Sequence, residues 1–290
     1  MRWLSTRPRI ALMLGPALVV FTALIVYPVL YSLYYSFTDF KGFGEPKFVG
    51  FANYRGLFDD QFFLNAVVNT AIILLVGICV LVPGSFALAL LLHRRLPGAG
   101  VMRALVFAPA IIAPILVGLI WVFILDPKLG ILSKALVALG FPGNLPLIGG
   151  DVLTPYSVAL VFIWSSVGFA MTIFYAGLQM LPNDVMEAAS LDGATGWQRV
   201  RFITIPLMRE TFAIASVLLI TNVFKIFELV YVLTSGGPVH RSEVLVSYMY
   251  FLTFTNLQYG PGMALAVIIT LLGAVASIGY LFLIRERKNS

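Results

Sequence analysis

Six stretches of this chain, roughly 10–36, 65–92, 102–125, 153–180, 211–233 and 262–284, stay apolar for about twenty residues or more. A hydrocarbon layer about 30 Å thick is crossed by about twenty helical residues. Inside it every backbone N–H and C=O must find a partner within the protein, and a helix meets that demand by itself. Composition agrees, with 60% hydrophobic residues and only 11% charged, where soluble chains carry about one quarter charged. The expected fold is all-α and polytopic, six transmembrane helices forming a single membrane domain over residues 1–290, with no separate soluble domain.

Orientation follows from lysine and arginine. With six spans, Arg2, Arg7, Arg9, Arg94, Arg95, Arg103, Arg199, Arg201, Arg209, Arg285, Arg287 and Lys288 share one side, twelve in all. Lys41, Lys47, Arg55, Lys128, Lys134 and Arg241 share the other, six in all, and Lys225 alone lies within a span. The richer side is cytoplasmic, so both termini and the loop 181–210 are expected there. This placement also accounts for the net charge of +6 without a nucleic-acid partner. The partner is membrane lipid.

The first run follows basic residues, as a cleaved signal peptide would. It is longer than such a segment and continues through Tyr27-Pro28 into Tyr31, Tyr34 and Tyr35, so it reads as a retained span. Pro83-Gly84 predicts a kink in the second span. Pro109 and Pro114 predict kinks in the third, where neighbouring helices satisfy the freed carbonyls. Leu96-Pro97-Gly98 reads as a tight turn, and Ile131–Leu139 as a short interfacial helix. Cys79 has no partner for an intrachain disulfide, and His93 and His240 lie at the ends of different spans, so no metal site is expected.

Between the fourth and fifth runs lies a polar island, Leu181 to Pro206. Asp184 stands three residues before Glu187, and Thr195 three before Gln198, both capping-box spacings. Asp192-Gly193 between them is a turn signal. Two short helices joined at Gly193 are expected, the first presenting the small residues Ala188, Ala189 and Ser190. Small side chains let another surface come close, so the island reads as a docking element.

No nucleophile, metal cluster or GxxxxGK[ST] phosphate loop is legible, and no catalytic residue is expected. The fifth run carries Asn222, Lys225 and Glu228, three apart and so on one stripe of a continuous helix. Charge at this depth faces a bundle interior or an aqueous cavity. Asn222 and Lys225 are read as the wall of a translocation path, and Glu228 as an ion-pair partner that neutralises Lys225. Trp164 could stack on the apolar face of a sugar ring and Ser165 could hydrogen-bond its hydroxyls, with Gly168 beside them. A plain packing role for Trp164 stands next to that reading.

Glu187-Ala188-Ala189, three residues, Gly193, nine residues, then Ile203-Thr204-Ile205-Pro206 resembles the EAA motif of ABC-importer permeases. The usual ending is Leu-Pro, and Ile205-Pro206 is a conservative departure from it. Tyr31 to Thr38, Phe48 to Tyr54 and Glu228 to Pro238 are similar to the carbohydrate branch, the MalF/UgpA-like permeases. The resemblance implies a type I ABC-importer permease fold in a bacterial or archaeal cytoplasmic (inner) membrane. It makes 181–210 a coupling loop in which Glu187, Ala188, Ala189, Asp192 and Gly193 engage an ATPase. The implied partners are an ABC ATPase dimer that binds Mg-ATP, a second permease subunit in a heterodimer, and an extracytoplasmic solute-binding protein. This chain then needs no cofactor and is not an enzyme. The implied solute is a sugar or related polyol, with glycerol phosphate as the alternative. An ion-driven secondary transporter would show inverted repeats and intramembrane carboxylates; no repeat is legible, and Glu228 is the one carboxylate well inside a span.

Overall fold

The computed structural model describes residues 7–94, 97–142, 145–150 and 152–286, and the side chains of 12–282 among them. The orientation argument from Arg2, Arg95, Arg287 and Lys288, and from the side chains of Arg7, Arg9 and Arg285, lies outside this range, as does Leu96 of the expected turn. Pro97-Gly98 is a turn, with Gly98 at φ +79°.

Helix α1 (Leu12–Tyr35) is followed by short α2 (Ala52–Phe58) and by the long α3 (Gln61–His93). Next come α4 (Ala99–Ile111), α5 (Pro114–Leu125), α6 (Ile131–Ala138) and α7 (Thr154–Gln179). The polar island forms α8 (Asn183–Leu191) and α9 (Gly196–Leu207). The chain continues through α10 (Arg209–Val223), α11 (Glu228–Thr234), α12 (Leu245–Thr255) and α13 (Tyr259–Glu286).

Four of these helices, α1, α3, α7 and α13, are long and apolar enough to span a membrane. The count reaches six if α4 with α5, and α9 with α10, each make one span, but both pairs are sharply bent, by 98° and 69°. Expected span three is therefore not a kinked helix but two helices. Ile112 and Ala113 are extended (ψ 133° and 137°), and Pro114, which cannot donate to the preceding turn, opens α5. Expected span five is broken as well. Helix α10 stops at Val223, Phe227 leaves the helical region (φ −139°), and α11 starts at Glu228.

Three other prolines are accommodated by one recurring device. Pro28, Pro83 and Pro206 each stand two residues after a π-turn, at Thr22–Val26, Gly77–Leu81 and Val200–Thr204. The residue before each proline donates five residues back instead of four: Tyr27 to Thr22, Val82 to Gly77, Ile205 to Val200. A proline ring clashes with the carbonyl four residues earlier, and a widened turn moves that carbonyl aside. The expected kink at Pro83-Gly84 is thus absorbed inside a continuous α3.

Contacts divide the chain into two compact units: Met1–Gln61 with Met249–Thr270, and Phe62–Tyr248 with Leu271–Ser290. The first is held by backbone pairing and aromatic rings. Thr38 bridges Phe48, Asn53 Nδ2 donates to the carbonyls of Ser36 and Thr38 (2.8 Å each), and Phe37 packs edge-on against Phe51. The second holds the larger core, from α3, α5, α7, α10 and α11. It contains a ring cluster in which Phe86, Phe174 and Phe212 have centroids 4.7–5.6 Å apart. Where α4 crosses α7, Gly168 lies against the backbone of Val106 and Phe107 so closely that a Cβ would collide with it. That approach is what a small residue provides between membrane helices.

Helix α6 forms where a short helix was expected, at Ile131–Leu139. In the turn before it the Asp126 carboxylate accepts the N–H groups of Leu129 (2.7 Å) and Lys128 (2.8 Å), which hold its pKa below the ordinary carboxylate value. Helices α2 and α12 fall where only loop was expected.

Candidate functional site

Two parts of the Phe62–Tyr248 unit carry functional geometry, the α8–α9 arm and a cavity among α4, α5, α7, α10 and α11.

In the arm, Gly193 has φ +75°, the left-handed conformation that favours glycine, and closes α8 with a Schellman pair. Its N–H donates to Ser190 (3.3 Å), and the Ala194 N–H donates to Ala189 (3.0 Å). The expected capping box at Thr195 forms in full: Gln198 N–H donates to Thr195 Oγ1, and Thr195 N–H to Gln198 Oε1 (2.8 Å). The other expected box does not form. Pro182 occupies the cap position, so Asp184 sits inside the first turn, where its charge suits the helix dipole but caps nothing. Arg199 ties the two helices by donating to Ser190 Oγ (3.0 Å).

The exposed face of α8 also differs from the expected small-residue surface. Ala189 is buried, 7% exposed, and packs inward. Glu187, Ala188 and Asp192 face outward with Gly193. Large apolar side chains stand beside them, Leu191 at 89%, Met180 at 84% and Trp197 at 71% exposure. Sequence reasoning missed these three, although for Leu191 and Trp197 an apolar residue inside a polar island was the available signal.

The cavity has a volume of about 350 Å³, in the range of small-molecule sites. Ser165, Ser166, Phe162 and Phe169 from α7 face Asn222, Lys225 and Glu228, with Pro109 and Pro114 from the α4–α5 pair. Both helix breaks lie on this cavity. Irregular backbone at membrane depth is tolerated where it lines such a space. Asn222, Lys225 and Glu228 each line it and are exposed, while Val223, Ile226 and Leu229, each one residue further on, are buried. The expected stripe thus exists, although the continuous helix invoked for it does not.

No ion pair within 4.0 Å joins Lys225 to Glu228; the pair among the described residues is His240–Glu243, at 3.1 Å. Glu228 lines the cavity without a salt bridge to Lys225. Each charge has a local reason to persist. Lys225 lies two residues past the carbonyl end of α10, and Glu228 opens α11.

Two other expected pathway residues turn away. Trp164 packs edge-on against Trp121, with centroids 5.4 Å apart, and joins the core. Gly168 serves the α4–α7 crossing. Ser165 remains at the cavity, its hydroxyl donating to Phe162 O (3.0 Å). Among the described residues no group of three His, Cys, Asp or Glu side chains could hold a metal ion.

Apolar helices long enough to span a membrane, a cavity carrying Asn222, Lys225 and Glu228 at two broken spans, and an exposed helical arm are the features of a transport permease. The chain belongs to the family described as binding-protein-dependent transport system inner membrane component, whose model matches residues 62–289. It is an inner-membrane, multi-pass protein. The "Probable starch degradation products transport system permease protein" of Thermoanaerobacterium thermosulfurigenes is 29% identical over 281 residues, covering 96% of this chain and 94% of that one. The sn-glycerol-3-phosphate transport system permease protein of Agrobacterium fabrum is 30% identical over 279 residues, covering 96% and 94%. A chain from the crystal structure of a bacterial alginate ABC transporter, in complex with an alginate pentasaccharide-bound periplasmic protein, superposes with a TM-score of 0.80 at 21% identity, covering 93% and 92%. That likeness concerns the fold.

Proposed function

We propose that this chain, as one permease domain over 1–290, is the transmembrane subunit of an ATP-driven importer for a sugar or related polyol. The α8–α9 arm supports the reading most directly: it is a rigid, doubly capped docking element in the position of the EAA motif. An ABC ATPase dimer binds Mg-ATP and seats α8, with Glu187, Ala188, Asp192 and Gly193 at the contact and Ala189 fixing α8 to the core. Closure of the ATPases on ATP moves the arm, and α7 and α10 at its two ends carry that motion to the cavity. The cavity receives solute from an extracytoplasmic binding protein and, after hydrolysis, releases it inward. A second, heterodimeric permease subunit completes the pathway. Asn222, Lys225 and Ser165 contact the solute, with termini and arm on the cytoplasmic side.

The relatives support both a carbohydrate and a glycerol-phosphate solute, and glycerol phosphate is the second reading. The test is purification from mild detergent. An ATPase and a second permease chain should accompany this one, and ATP hydrolysis should rise with the loaded binding protein. Solute uptake by this chain alone, in ATP-free vesicles carrying a proton gradient, would overturn the proposal.

A further inference from the structure

Lys225 and Glu228 give the cavity one ammonium and one carboxylate, facing the same space without bridging each other. A hydroxyl both donates and accepts, so a polyhydroxylated solute can serve the two charges at once. A phosphate or carboxylate group serves Lys225 alone and brings a like charge toward Glu228; an amino group does the reverse. The apolar rings of Phe162 and Phe169 line the same space, and a neutral sugar ring has the matching apolar face.

We infer that Glu228 is a specificity-determining residue, a charge filter that sets Lys225 to work on an uncharged polyhydroxyl solute and rejects anions such as glycerol phosphates or uronates. This rests on the cavity being the solute path, as proposed above. Glu228 acts on the solute's charge and Lys225 on its oxygen atoms. The two substitutions should therefore move preference in opposite directions, which a purely structural role for the pair would not produce.

The experiment uses the intact permease–ATPase complex in nanodiscs, without binding protein, so that selectivity belongs to the membrane subunits. Radiolabelled glucose, glucuronate and glucosamine, matched in ring and size, are compared by equilibrium dialysis. Glucose should bind about tenfold more tightly than either charged analogue. Glu228→Gln should raise glucuronate affinity severalfold relative to glucose, and Lys225→Met should weaken glucose and raise glucosamine severalfold relative to it. The wild-type ranking stands as a measurement even if a variant fails to assemble. Glucuronate binding as tightly as glucose, no saturable glucose binding, or a ranking unchanged by both substitutions would each overturn the filter. If the ATPase still co-purifies in those cases, the importer reading survives and only the filter falls. Loss of both would sink the two together.

Discussion

Gly168 shows how one residue can mislead a reading made along the chain. Next to Trp164 and Ser165 it resembles part of a solute path, yet its missing Cβ is required by the backbone of Val106 and Phe107. Gly168→Ala should lower the thermal midpoint of the purified complex, and Gly168→Leu should reduce assembled protein to near nothing. Gly84→Ala in α3, where a Cβ meets nothing within 4 Å, should leave the midpoint unchanged. Equal effects at the two sites would refute the packing role. Asp126 supports a prediction about pH. Its folded pKa is lowered by the Leu129 and Lys128 N–H groups, so its contribution is present above the unfolded carboxylate value and fades as pH falls through the depressed folded one. Hydrogen exchange at the amides of Lys128 and Leu129 should therefore stay protected at neutral and mildly acidic pH. Protection should be lost only below the ordinary carboxylate range, and Asp126→Ala should remove it at every pH.

At the scale of elements, prolines produced two different outcomes from the same chemistry. Where a π-turn precedes the proline, the helix runs on through Pro28 and Pro83, and through Pro206 as far as Leu207, after which it bends. At Ile112-Ala113-Pro114 no such turn forms, and the helix breaks at the cavity. Sequence shows each proline, but the choice depends on which neighbours can accept the displaced carbonyls. The arm was more legible, because caps and turns are local. Thr195–Gln198 and Gly193 formed as their spacing required, whereas Asp184 lost its cap position to Pro182. Gly193 at φ +75° gives the prediction for this element. Gly193→Leu should leave the chain in the membrane but reduce co-purifying ATPase, or uncouple hydrolysis from uptake, by about tenfold or more, since a branched side chain strains this conformation. Wild-type coupling in that variant would contradict the rigid-arm mechanism.

For the whole molecule, the functional reading makes energy the property of partners. Proteoliposomes holding only this chain should show neither ATP hydrolysis nor solute accumulation, and adding an ATPase, a second permease and the binding protein should produce both. A protonophore should leave uptake by the full complex unchanged; collapse of uptake would favour an ion-driven carrier. The membrane character, the helical class and the two short helices of the polar island were readable from residue order alone. Bilayer thickness, the need to satisfy every backbone group, and capping geometry all act over fewer than thirty residues. Tertiary structure decided the rest. It turned Trp164 and Gly168 into packing residues, exposed Leu191, Met180 and Trp197 on the arm, and broke two spans so that Lys225 and Glu228 face one cavity unpaired. Those outcomes depend on which surfaces meet across distant segments, and neither periodicity nor composition records that.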